Sequence, residues 1–383
     1  MSDTPPRALY SIPARIGGGG IGNIAATAAA GLHAQGYLQK LFVSSNRQTL
    51  IPEKSVAQWG LFGRALKYAG ARDPTGLLYF LESTLFDAWV AALLPAADIF
   101  HGWNGACLRS LRRAKQLGMQ TIVERASSHP WTNIRLLREE YARWNVPLRL
   151  PQWHQPRLLT ELQTADYITI PSLFVRESML AAGHAPAQLL EIPFGVELDT
   201  FTPPASQPAA RPFRAIFAGQ ISIRKGVPYL LEAWKAARLP QAELWLVGAL
   251  AHDFAAIKHR WDDVPGVTYL SYAARLVELF QHSDVFVFPS IEEGSALVTY
   301  EALACGLPIL TTPNAGSVAR DQQDGLVVPI RDVEALRAGL ATLYEQPVLR
   351  RDMSRSARQR AEMFPWTRYQ QQLCEAYRRI AHA

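Results

Sequence analysis

Three cysteines in 383 residues, Cys107, Cys305 and Cys374, are too few, odd in number and too widely spaced for a disulfide framework, which favours a reducing compartment. The chain contains no Asp-x-Asp and no His-rich or Cys-rich ligand spacing, so no metal site is expected. No apolar run approaches the roughly 18 uncharged residues that span a bilayer. The opening Met-Ser-Asp-Thr-Pro-Pro-Arg has no apolar signal core, and a cytoplasmic protein is expected. Neither a recognised module nor an aromatic-basic alternation points to nucleic acid, so no such partner is expected.

What is present is a soluble, globular composition, with 49% hydrophobic and 19% charged residues. The length exceeds what one core usually supports, and two domains follow. The net charge of +6 is spread over 39 basic residues and favours anionic ligands without naming one. Its densest early cluster is Arg109, Arg112, Arg113 and Lys115 beside Leu108 and Leu111. That pattern reads either as a solvated helix face or as a peripheral contact with an anionic membrane at its inner face.

Apolar strand-like runs alternate with longer helical patterns, the signature of parallel sheets covered by helices, so the fold class is α/β. Strands are expected at 8–12, 41–44, 99–101, 121–123, 167–170 and 190–192, then at 215–218, 243–247, 267–270, 285–288 and 309–311. The Pro-rich stretch 202–212 has the composition of a linker. The expected division is 1–200, a linker at 201–212, and 213–365, with 366–383 as a final helix. One internal echo supports two similar halves: Ala165, Asp166, then an apolar run to Pro171 and Ser172, against Ser283, Asp284, then an apolar run to Pro289 and Ser290. Ligands of such sheets bind beyond the carboxyl ends of the strands, in the cleft between the halves.

The most informative stretch runs from Glu293 through Gly294, Ser295, Ala296, Leu297 and Val298 to Glu301, after the strand 284–288. Ser295 reads as an N-cap, and Gly306 and Pro308 as the helix stop. The free amides of Ala296, Leu297 and Val298 would then face an anion, with Gly294 leaving room for it. Glu293 and Glu301 would reach two ends of the same ligand, such as a nucleotide carrying a sugar; the plain alternative is two solvated acids.

A second anion signal lies in Phe217, Ala218, Gly219, Gln220 and onward to Arg224, Lys225, Gly226 and Pro228. There Arg224 offers a planar fork and Lys225 a point charge, both suited to a departing diphosphate. The glycine run Gly17, Gly18, Gly19, Gly20 and Gly22 formally fits a dinucleotide fingerprint, but the acid expected about 20 residues on is missing. Those glycines leave room for close approach of another substrate. His101 to Asn104 and Glu124, Arg125, Ser127, Ser128 and His129 follow strands and line the same kind of edge. A lone histidine there is more often structural than catalytic.

Taken together these motifs resemble the retaining GT-B glycosyltransferases of the family 4 type. The likeness runs nearly end to end, from the glycine loop through Gly195, the 219–226 loop, Pro289 and Ser290, the Glu293 and Glu301 pair, Gly306 and Pro308, and Asp324, to Phe364, Pro365 and Trp366. The resemblance implies two Rossmann-like domains facing each other across a cleft, an N-terminal one for the acceptor and a C-terminal one for the donor, with the final helix crossing back. It implies transfer of a hexosyl unit from a nucleoside diphosphate sugar, UDP- or GDP-linked, to a hydroxyl of a glycan, lipid-linked or small-molecule acceptor, with no cofactor and no metal.

In that scheme Glu293, Arg224, Lys225 and His129 are catalytic. Gly219, Gln220, Gly294, Ser295, Ala296, Leu297, Val298 and Glu301 bind donor. Gly18, Gly19, Gly20, Asn104, Glu124 and Arg125 bind acceptor. The chain departs from the family pattern at Gln220, where an Arg is usual, at Glu124, where many relatives carry His, and at Phe194, where Asn is common. The rival readings are a catalytically silent sugar-nucleotide binder and a dinucleotide-dependent oxidoreductase.

Overall fold

The structure, a computed structural model, describes residues 5–17, 20–60, 76–148, 154–205, 211–271 and 276–381. Among them are two all-parallel sheets. The first has seven strands, β1 Ala8–Ile16, β2 Leu38–Asn46, β3 Val56–Gln58, β4 Ile99–Trp103, β5 Gln120–Glu124, β6 Tyr167–Ile170 and β7 Leu189–Glu191, in the order β3-β2-β1-β4-β5-β6-β7. The second has six, β8 Phe213–Ala218, β9 Ala242–Val247, β10 Val267–Leu270, β11 Val285–Phe288, β12 Ile309–Thr311 and β13 Gly325–Val327, in the order β10-β9-β8-β11-β12-β13. Each reverses direction of growth beside its first strand, which opens a crevice at the carboxyl ends of the strands. The linker lies partly outside the described residues, at 206–210.

The longer helices on the first sheet are α1 Ile21–Ala34, α2 Leu77–Leu93, α3 Leu108–Gln116, α4 Pro130–Arg143, α5 His154–Thr164 and α6 Leu173–Ala181. On the second they are α7 Val227–Ala237, α8 Leu297–Ala304, α9 Val333–Glu345 and α10 Pro347–Glu362, and the chain closes with α11 Trp366–Ala381. Side-chain alternation along β1 sends Tyr10 and Ile12 to one core and Leu9 to the other, so both faces of the sheet are covered. β11 reads Val-Phe-Val-Phe and is buried throughout, as a central parallel strand must be.

The echo between the halves has a structural basis. Asp166 accepts the Thr121 amide at 2.9 Å and Asp284 the Arg214 amide at 2.8 Å, each tying the start of one strand to its neighbour. The final helix α11 returns to the first half and packs on α1, where Gln370 donates to the Thr27 carbonyl at 3.0 Å. The two passages of chain between the halves run side by side: Val196 bridges to Pro365, and its amide donates to the Phe364 carbonyl at 3.0 Å.

The halves touch closely. Tyr141 donates to Asp253 at 2.6 Å, and Arg331 binds Glu140 at 2.7 Å and Glu139 at 3.0 Å. Trp144 packs edge-on against Tyr229 and Trp261 at 5.4 and 5.6 Å. Helix α4 therefore belongs to the first half by connection and leans on the second by contact.

Candidate functional site

The loop after β8 turns at Gly226, whose φ of 72° and whose Cβ position, 1.9 Å from the Pro289 carbonyl oxygen, both require glycine. That close fit sets Arg224 and Lys225 against the loop after β11. There Arg224 lies 3.0 Å from Glu293, and Lys225 pairs with the same carboxylate and sits 5.2 Å from the Phe288 ring centroid. Burial depresses the Lys225 ammonium most, Glu293 opposes and Arg224 assists, leaving it below the usual lysine range. For Arg224, burial lowers and Glu293 and Glu292 outweigh it, so the guanidinium is held more firmly charged.

Glu293 and Glu301 share one cavity of about 330 Å³ with Lys225, Gly219, Ser295, Ala296, Leu297 and Val298, and Gly20 and Ile21 close it from the first half. Burial pushes the Glu301 carboxyl up to about 7. Helix α8 starts at Leu297 with Ala296 at its N-cap, so the expected cap at Ser295 is corrected: its hydroxyl meets Tyr300 at 2.9 Å and the Gly316 carbonyl at 2.8 Å. The Ala296 amide is used by the Ala315 carbonyl at 3.1 Å, which leaves those of Leu297 and Val298 as the open donors of the helix mouth.

Several expected roles change. Gly294 does not line the cavity; a Cβ there would lie 1.9 Å from the Ala126 carbonyl oxygen, so it is the first half's backbone that needs the space. Gln220 and Arg224 line a different cavity of about 390 Å³, between the donor-side loop and Tyr141 of α4. Gly18 and Gly19 lie outside the described residues, while Gly20 has open space around it.

On the acceptor side, Glu124 is buried and faces inward, taking a hydrogen bond from Thr169 at 2.7 Å and lying 3.3 Å from His101, whose other nitrogen meets Tyr377 at 2.7 Å. Arg125 donates to the Ser128 carbonyl and, at 2.9 Å, to Asn104, whose amide donates to Glu161 at 2.9 Å. Burial lowers Arg125 to about 10 against the pull of Glu292 and Glu161. Asn104, Glu124 and Arg125 are thus each engaged with partners in the first half. His129 caps α4, accepting from the Trp131 amide at 3.3 Å and packing on His184 at 5.6 Å, and burial with His184 and Arg125 nearby pushes it down to about 4. His129 thus serves as a helix cap, apart from the cluster of Arg224, Lys225 and Glu293.

The residue that sequence reasoning missed is Glu292. It is fully buried and joins the halves: its carboxylate accepts from Ser127 at 2.9 Å, from the Ser128 amide at 3.1 Å and from the Ser128 hydroxyl at 2.6 Å, and faces Arg224 at 3.5 Å. Burial raises its pKa, but Arg224 and hydrogen bonds from Ser128, Asn133 and Ser127 outweigh it, and the carboxyl lies below its ordinary value. Two adjacent acids in the loop that follows β11 were the available signal, since one loop of this kind can face two partners.

Two Rossmann-like sheets, a crevice between their carboxyl ends and a helix mouth facing paired cations define the GT-B class of glycosyltransferase folds. Residues 212–346 match the family described as Glycosyl transferases group 1. The chain is similar to D-inositol 3-phosphate glycosyltransferase of Paenarthrobacter aurescens, 32% identical over 207 residues that cover 49% of this chain and 50% of the relative. It thus spans about half the length of the curated relatives it matches. Among solved structures it resembles sucrose-phosphate synthase from Thermosynechococcus elongatus, with a TM-score of 0.67, 20% identity and coverage of 98% of this chain and 99% of that one. The Anabaena protein HepE in complex with UDP aligns with a TM-score of 0.68, 16% identity and coverage of 97% and 99%.

Proposed function

We propose that the protein is a retaining glycosyltransferase that moves a hexosyl unit from a nucleoside diphosphate sugar, UDP- or GDP-linked, to a hydroxyl of a glycan, lipid-linked or small-molecule acceptor without a metal ion. The observation that carries this is the cavity that holds Lys225, Glu293, the mouth of α8 and Glu301, with Arg224 reaching Glu293 from the neighbouring cavity. A relative named as a glycosyltransferase and a structural neighbour bound to UDP support the same reading. The halves 1–200 and 213–365 then act as acceptor and donor sides.

In this scheme the diphosphate takes over the cations that Glu293 now holds, and Lys225 and Arg224 neutralise the charge that grows as the anomeric carbon–oxygen bond breaks. Glu293, released, faces the sugar hydroxyls, the Leu297 and Val298 amides hold a phosphate or sugar oxygen, and Glu301 accepts from the ribose. The acceptor oxygen attacks the same face that the diphosphate leaves, and its proton passes to a phosphate oxygen of the leaving group. The acceptor enters past Gly20 and Ile21. His129 needs no part in the proton transfer.

The test is thermal stabilisation by a panel of UDP-, GDP- and ADP-sugars with and without chelator, followed by the anomeric configuration of any product. One nucleotide sugar should raise the melting temperature equally in chelator, and the product should keep the donor's configuration. Stabilisation by none of them removes the donor assignment, and an inverted product removes retention.

A further inference from the structure

Helix α2 packs Phe86 and Val90 into the core but turns a second apolar face to solvent. Its two charged residues, Glu82 and Asp87, are buried together with Ser83, while Leu77, Leu81, Leu85 and Leu93 are 44%, 41%, 45% and 50% exposed. At 100° per residue Leu77, Leu81 and Leu85 fall on one stripe, which Ala88 and Ala92 extend, and no charged side chain interrupts it.

The inward polar contacts fix this orientation. Asp87 accepts the Arg109 and Ser110 amides at 2.8 and 2.9 Å and the Ser110 hydroxyl at 2.6 Å, capping α3, and Arg157 binds it at 3.2 Å. Rolling the leucines inward would strip α3 of its cap and leave a buried guanidinium with one fewer partner. An apolar face held outward by a buried salt bridge and a helix cap is a surface suited to contact.

The neighbour of that face indicates what covers it. Helix α3 packs against α2 and presents Arg109, Arg112 and Arg113 on its own exposed face; among the described residues no ion pair engages any of these three side chains. We infer that the α2 and α3 face docks on an anionic lipid bilayer, with the leucine stripe entering the acyl boundary and the α3 cations at the headgroups. A second copy of the chain fits less well, because a two-fold contact would bring the α3 cations together. The stripe runs about 24 Å and offers neither acceptors nor charges to set a register with a protein, which suits a fluid surface. No helix among the described residues is long and apolar enough to cross a membrane, so the contact is peripheral.

This inference does not depend on the proposed transfer chemistry. Helix α2 leads into β4, so its first turn lies at the carboxyl-end edge of the sheet, on the side of the crevice. A protein docked along the whole stripe would hold the crevice beside the bilayer surface.

Co-sedimentation of the full chain with phosphatidylcholine vesicles, with and without phosphatidylglycerol, tests the proposal. Binding should require the anionic lipid and weaken in high salt. Arg112→Gln and Arg113→Gln should each lower partitioning about fivefold, and Leu81→Ser with Leu85→Ser by at least about tenfold. Because these residues are exposed, the variants should keep the wild-type melting temperature and nucleotide-sugar stabilisation; Leu85→Ala is the milder companion if the double change does not fold. No binding by the wild type, or binding indifferent to the leucines, overturns it. So does a concentration-dependent dimer, lost in Leu81→Glu, in the absence of vesicle binding.

Discussion

Lys225 is held between opposing forces: burial works against its charge while Glu293 supports it, so its ammonium is available to an anion only by exchange. Removing it by Lys225→Ala is expected to lower turnover by about two orders of magnitude or more, with little change in melting temperature; steady-state rates with the stabilising donor check this. Glu301 carries a pH prediction. Burial lifts its carboxyl from 4.5 to about 7, so the folded state binds more protons than the unfolded one between those values, and stability falls as pH rises through that window. Glu301→Gln should therefore melt higher than wild type at pH 8, with the difference vanishing near pH 4, as thermal scans across pH will show. A gap that persists at low pH would point to packing instead.

At the level of elements, Gly294 places the loop before α8 in direct contact with the loop after β5, and Ser172, after β6, donates to the Gly294 carbonyl at 2.5 Å. A methyl group at that position collides with backbone, so Gly294→Ala should hold the crevice ajar, lowering turnover at least about tenfold and increasing the radius measured by small-angle scattering. Sequence patterns located this loop and most strands, because buried parallel strands are continuous apolar runs ending in punctuation. They missed β3, Val-Ala-Gln, and β13, Gly-Leu-Val, short edge strands that a polar residue or a glycine interrupts before an apolar run can form. They placed Glu124, Arg125, Asn104 and His129 at the right edge but could not say which way each side chain turns. The partners that decide it, Thr169, Glu161 and His184 among them, lie tens of residues away in the chain. Glu292 escaped for the same reason, its serine partners being 164 and 165 positions distant.

For the whole molecule, α4 forms one direct link between the first half and the second. Arg331 spans Glu139, Glu140 and the Leu136 carbonyl, and Glu140 is fully buried. Deleting the guanidinium leaves that buried carboxylate without a cation, held by Trp144 at 2.8 Å and by the Tyr229 hydroxyl. Arg331→Ala is expected to split calorimetric unfolding into two transitions where the wild type shows one, each half melting alone; a single unshifted transition would show that the halves are joined by other means. The side-by-side passages at Val196 and Pro365 set how such a separation proceeds. With both backbones bound together at one place, opening reduces to a single angle about a shared axle, and one dye pair spanning the two halves is enough to follow the full stroke in real time.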